Sequence, residues 1–120
     1  MSKKVLIVED DKEVLFIMKY ILEDTGYEVI ISDSDNVIQN VLDVQPNLIL
    51  LDDWIPGERG SEICKRIKSN SQMKHIPVFI VSAVSGLDLT ARECLADGFI
   101  EKPFELHYFE KKIKYVLSNR

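Results

Sequence analysis

Residues 48–53, Leu48-Ile49-Leu50-Leu51-Asp52-Asp53, set four consecutive aliphatic side chains directly against two carboxylates. An apolar run without polar alternation fits a strand covered on both faces, as in a parallel sheet beneath helices. In such sheets ligands bind outside the carboxyl ends of the strands, near the switch in strand order. Three further runs repeat the pattern. Val5-Leu6-Ile7-Val8 leads into Glu9-Asp10, Val78-Phe79-Ile80-Val81 into Ser82-Ala83, and Gly98-Phe99-Ile100-Glu101 into Lys102-Pro103. As neighbouring parallel strands, the four would bring carboxylates, a hydroxyl and an ammonium to one edge.

Between the runs the apolar spacing becomes helical. Val14, Ile17, Met18, Ile21 and Leu22 form one stripe, with Asp11 as N-cap and Gly26 at the expected stop. A second helix is predicted over 35–44, with Val37, Ile38, Val41 and Leu42 inward and Pro46 ending it. A third carries Ile63, Cys64 and Ile67; a fourth, near 86–96, carries Leu87, Ala91, Cys94 and Leu95. The last places Leu106, Phe109, Ile113, Val116 and Leu117 on one stripe, and 28–32 supplies the remaining strand. Strand then helix, five times over, predicts an α/β fold with one parallel sheet, helices on both faces and right-handed crossovers.

Bulk properties agree with one domain over residues 1–120, 46% hydrophobic and 29% charged, large enough for a core of its own. The net charge of −5 argues against direct nucleic-acid binding, which needs a dense basic surface. Cys64 and Cys94 stand thirty residues apart without CxxC spacing and read as small core residues; His75 and His107 are equally unclustered. No apolar stretch approaches the about 18 residues of a membrane span, and the N-terminal apolar run is too short for a secretion signal. A cytoplasmic location, with no membrane partner, is the simplest expectation.

The converging groups suggest a chemistry. Glu9, Asp10 and Asp52 brought close would repel one another and raise at least one pKa unless a cation intervened. A hard divalent ion such as Mg²⁺, or Mn²⁺, takes oxygen ligands and suits phosphoryl transfer, where catalysis is mostly positioning and charge stabilisation. Asp52, ending the central run, is the best nucleophile, since a carboxylate can accept a phosphoryl group. Lys102 would bring a cation and Ser82 a hydrogen bond to that group. Each cluster alone has a plainer reading: a capping turn for Glu9-Asp10, a turn for Asp52-Asp53, a loop hydroxyl for Ser82, a solvated Lys102 and a core Phe99. Plain readings for all four clusters would have to hold at once.

With these residues in hand, the chain resembles the receiver domain of bacterial two-component response regulators over essentially its whole length. The resemblance rests on KKVLIVEDD at 3–11, PNLILLDDWIPGERG at 46–60, IPVFIVSA at 76–83 and ADGFIEKPF at 96–104. It implies a flavodoxin-like three-layer sandwich with five strands in the order 2-1-3-4-5. Asp52 becomes the phosphoacceptor, because Pro56 follows four residues later in the family's D-x-x-x-P pattern. Glu9 and Asp10 match the acidic Mg²⁺-binding pair, and Trp54 would give the metal its backbone carbonyl. Ser82 matches the switch hydroxyl, Phe99 the switch aromatic and Lys102 the family lysine. Asp53, an extra carboxylate, is expected to face solvent. Leu95, where the family often has glycine, is expected to affect packing alone.

The implied function is a phosphorylation switch, not a classical enzyme. A histidine kinase or phosphotransfer protein would supply the phosphoryl group. The face built by the fourth helix, fifth strand and fifth helix would then engage an effector or output domain, or a second copy in a phosphorylation-dependent homodimer. Two rivals stand beside it. A small Mg²⁺-dependent phosphatase or phosphotransferase would need a substrate pocket that short loops hardly supply. A pseudo-receiver binding module would have little reason to keep all five functional positions.

Overall fold

Every apolar run predicted as a strand is one in the computed structural model, which describes residues 2–55, 57–83 and 94–118. The elements are β1 (Lys4–Val8), α1 (Lys12–Thr25), β2 (Glu28–Ile31), α2 (Val37–Val44), β3 (Leu48–Asp52), β4 (Trp54–Ile55), β5 (Glu58–Arg59), α3 (Gly60–Lys68), β6 (Val78–Ser82), β7 (Gly98–Glu101) and a C-terminal helix, here α4 (Leu106–Ser118). Five strands form one parallel sheet in the order β2-β1-β3-β6-β7, while β4 and β5 make a separate antiparallel hairpin. Setting that hairpin aside, the order is the flavodoxin-like 2-1-3-4-5, and the switch point falls between β1 and β3.

The alternation of side chains along a strand divides the core in two. Leu6, Ile49, Leu51 and Ile80 face α2 and α3, where Val37, Val41, Ile63, Cys64 and Ile67 meet them. Val5, Ile7, Leu48, Leu50 and Val81 face α1 and α4, against Met18, Leu22, Phe109, Ile113 and Leu117. All five residues of β3 and of β6 are buried, which explains why these runs carry no polar alternation. Asp11 caps α1 through its side chain, accepting from the Glu13 and Val14 N–H groups at 3.0 and 3.2 Å. Gly26, at φ 105°, ends that helix.

Several orientations differ from expectation. Ile17 and Leu106 lie at the margins of their apolar stripes and are 40% and 53% exposed, so neither reaches the sheet. Helix α2 starts at Val37, two residues later than predicted, because Asp33 Oδ1 accepts the Asn36 N–H at 3.0 Å and holds a turn ahead of the helix. Of the helix predicted near 86–96, residues 86–93 lie outside the described residues; Cys94 is buried as expected. Leu95 instead sits in a turn, exposed, at φ 65°. The expectation for Leu95 is therefore corrected: its departure from glycine acts on the backbone, since this left-handed region crowds a Cβ. Next to it, Asp97 Oδ2 accepts the Val78 N–H at 2.8 Å and pairs with Lys68 at 2.6 Å, aligning the starts of β6 and β7. At the same end of the sheet, the Lys3 ammonium donates to the Leu117 carbonyl of α4.

Relieving the φ of Leu95 has a measurable consequence. Leu95→Gly is expected to raise unfolding stability by about 1 kcal/mol in urea denaturation, the cost of holding an L-residue in that region.

Candidate functional site

The registers of the sheet decide what meets at its carboxyl edge. Val8 pairs with Leu51, so Glu9 follows β1 at the level where Asp52 ends β3; Asp52 pairs with Val81, and Ser82 with Glu101, directly before Lys102. Glu9, Asp10 and Asp52 each offer a carboxylate oxygen, and the three atoms lie within 4.8 Å of one another. Glu9 and Asp52 are buried, whereas Asp10 is exposed. The Lys102 ammonium reaches into this group, 2.7 Å from Glu9 Oε1 and donating to Asp52 Oδ2 at 3.1 Å. Asp52 Oδ1 accepts the Trp54 N–H at 3.0 Å, and Glu9 Oε2 accepts the Asp11 N–H at 3.1 Å.

Two titrating groups carry the strain of this crowding. Burial above all, with the neighbouring Asp52 carboxylate, pushes Glu9 up from 4.5 to about 7, although Lys102 and the Asp11 N–H pull the other way. For Lys102, burial works to lower the pKa, but hydrogen bonding and charge from Glu9 and Asp52 outweigh it and hold it above the ordinary lysine value. Among the described residues, the buried Glu9 Oε1 is met by the Lys102 ammonium alone, at 2.7 Å. A buried carboxylate oxygen with a single cationic neighbour, grouped with two further hard oxygen donors, fits a divalent cation.

The remaining predicted positions fall around this cluster. Ser82 is fully buried at the end of β6, and its carbonyl accepts the Lys102 N–H at 3.0 Å. Phe99 pairs in register with Ile80, two residues before Ser82 on the same side of the sheet. It is half-buried against the α2/α3 core, with the Lys112 ammonium 5.2 Å from its ring centroid. The Trp54 indole is exposed on β4, and the Arg59 guanidinium stacks over it at 4.4 Å. The Lys102–Pro103 peptide is cis. Pro56 lies outside the described residues.

Asp53 does not face solvent. It is wholly buried, its Oδ2 paired with the Arg59 guanidinium and its Oδ1 accepting the Ser61 N–H at 2.9 Å. Burial works to raise its pKa, but the Arg59 and Ser61 hydrogen bonds outweigh it and hold the carboxyl below the usual range. The physical reason is strand alternation: Asp52 and Asp53 project to opposite sides, one to the edge cluster and one toward the start of α3. The one signal in the sequence was an arginine six residues on, beside the start of a helix.

A doubly wound, flavodoxin-like α/β domain with an acidic, lysine-bridged pocket at the carboxyl edge of its sheet is the class these observations define. The chain belongs to the response regulator receiver domain family, whose family model matches residues 5–114. It is 31% identical to the alkaline phosphatase synthesis transcriptional regulatory protein PhoP of Bacillus subtilis (strain 168), over 98% of this chain and 49% of that protein. It thus spans about half the length of that curated relative. Among solved structures, it is similar to the signal receiver domain of a signal transduction histidine kinase from Syntrophus aciditrophicus. There the TM-score is 0.88 and the identity 30%, over 98% of this chain and 92% of that one. The phosphorylated cyanobacterial phytochrome response regulator RcpA gives a TM-score of 0.84 and 25% identity, over 100% and 97%.

Receiver domains act in two-component signalling and interact with histidine kinases, and the Glu9, Asp10 and Asp52 triad can bind a metal ion as in that family. No helix among the described residues is long and apolar enough to cross a membrane.

The raised Glu9 carboxyl gives the metal-free protein a pH signature. The folded state holds this proton more tightly than the unfolded chain, so the contribution to stability is full below about pH 4.5 and is lost as pH rises through about 7. In chelator, urea midpoints are expected to fall between pH 5 and 8 by an amount that Glu9→Gln removes.

Proposed function

We propose that the chain is a phosphorylation switch in which Asp52 accepts a phosphoryl group, and that residues 1–120 form a single receiver domain acting in the cytoplasm. The observation carrying this is the placement of Asp52 among Glu9, Asp10 and the Lys102 ammonium at the switch-point edge. Cys64 and Cys94, which form no disulfide, suit a reducing compartment.

In the transfer, an Asp52 carboxylate oxygen forms a bond to phosphorus as the donor's bond to phosphorus breaks. That donor bond is P–N in a phosphohistidine and P–O in acetyl phosphate. The histidine nitrogen takes up a proton, or acetate leaves as the anion. Glu9, Asp10, the Asp52 carboxylate and the Trp54 carbonyl would hold Mg²⁺, or Mn²⁺, which neutralises charge on the transferring group. The Trp54 N–H orients Asp52 before reaction through its bond to Oδ1. Lys102, already bonded to Asp52, follows the negative charge onto the phosphoryl oxygens and gives up its contact with Glu9. Ser82 donates its hydroxyl to the same group.

Drawing Ser82 and Lys102 toward Asp52 moves the C-terminal ends of β6 and β7. Phe99, on β7 at the register of Ile80, then turns inward, biasing a two-state equilibrium. The surface so altered includes β7 and α4; of the helix predicted near 86–96 as its third part, residues 86–93 lie outside the described residues. A histidine kinase or phosphotransfer protein supplies the phosphoryl group, and an effector, an output domain or a second copy reads that surface.

Incubation with labelled acetyl phosphate and Mg²⁺ is expected to label the protein at Asp52, with the label absent in Asp52→Asn and abolished by excess chelator. Failure of the wild type to label with a competent donor would sink the switch. Steady release of phosphate from a small phosphate ester would instead favour an enzyme.

A further inference from the structure

The transfer just described makes no use of Asp53, yet the fold spends a wholly buried carboxylate there, and burying a charge is costly unless it is paired and hydrogen-bonded. Its partners form a closed circuit. Helix α3 begins at Gly60, and Arg59, in the N-cap position, makes no side-chain capping bond. Asp53 supplies that bond from eight residues away, accepting the Ser61 N–H at 2.9 Å. The Asp53 carbonyl also accepts the Gly60 N–H at 3.3 Å. A Cβ on Gly60 would lie 2.2 Å from the Asp52 carbonyl oxygen, so the start of α3 sits against the end of β3.

Arg59 belongs to this circuit twice. Its guanidinium pairs with Asp53 and also stacks on Trp54 at 4.4 Å, while its backbone pairs with Trp54 in the β4–β5 hairpin. Trp54 in turn donates its N–H to Asp52 Oδ1 at 3.0 Å. A continuous chain of contacts therefore runs from the buried Asp53, through Arg59 and Trp54, to the carboxylate of Asp52.

We propose that Asp53 and Arg59 are positioning residues for the acceptor. Their ion pair holds the Trp54 backbone in place and, through its N–H, sets the orientation of the Asp52 carboxylate. This rests on the reading of Asp52 as phosphoacceptor. Two successive carboxylates, on opposite sides of one strand end, thus divide the work: Asp52 reacts and Asp53 holds the loop that aims it.

The test uses the full chain and two readouts: the rate of labelling by acetyl phosphate at saturating Mg²⁺, and the Mg²⁺ affinity from the fluorescence of Trp54, the single tryptophan. Arg59→Ala is expected to slow labelling roughly tenfold and to weaken Mg²⁺ binding, because small misplacements of a reacting group cost large rate factors. Arg59→Lys should recover much of both, since it restores the charge to Asp53. Asp53→Asn, which keeps an acceptor for Ser61 and loses the charge, should fall between. In the double variant Asp53→Ala/Arg59→Ala the loss should be no greater than in the worse single variant, as expected for residues acting as one unit.

A purely structural role would lower the urea midpoint and leave rate and Mg²⁺ affinity at wild-type values in every variant that folds by circular dichroism; that result overturns the proposal. Should Arg59→Ala not fold, Asp53→Asn and Arg59→Lys decide it by the same two readouts. If the wild type itself takes no label, the acceptor reading fails, and the Mg²⁺ titrations alone judge the pair.

Discussion

One ammonium reconciles the charges at the carboxyl edge of the sheet. Lys102 follows β7, yet its side chain reaches Asp52 at the end of β3 and Glu9 beyond β1, crossing the position of β6. Neighbouring strands stand about 4.8 Å apart, so a single lysine spans much of the sheet. Without it, buried Glu9 and Asp52 would face each other with like charge. With it, the edge is held in a compact, partly neutralised state. Three carboxylates share that one ammonium, so the assembled edge keeps a net negative charge.

Much of this arrangement was legible in the chain because it follows from burial. Leu48–Leu51 and Val78–Val81 carry no alternation since helices cover both faces of β3 and β6, and that pattern alone implies a parallel sheet with its polar residues at one edge. Glu9, Asp10, Asp52 and Lys102 fall together from the strand ends alone. The misplaced residues have a common cause. Ile17 and Leu106 sit at the margins of apolar stripes, where helical periodicity does not tell a packed residue from an exposed one. Leu95 needed a backbone angle that composition does not encode.

Asp53 is the instructive case. Beside Asp52 it looked like a spare surface charge, because a buried carboxylate is intelligible only with its partner in view. That partner, Arg59, lies across a hairpin whose closure has no periodic signature, and the bond to Ser61 depends on where α3 begins. Local chemistry singled out Asp52; the contacts that bury Asp53 needed the third dimension. The sheet nevertheless foreshadows the result, since successive residues at a strand end must diverge.

The clasp between the Lys3 side chain and the Leu117 carbonyl has a mechanical meaning. Lys3 and Leu117 meet at one corner, at the end of the sheet remote from Asp52. The two ends of the sheet thus carry separate tasks: one fastens the first strand to the last helix, and the other gathers charge.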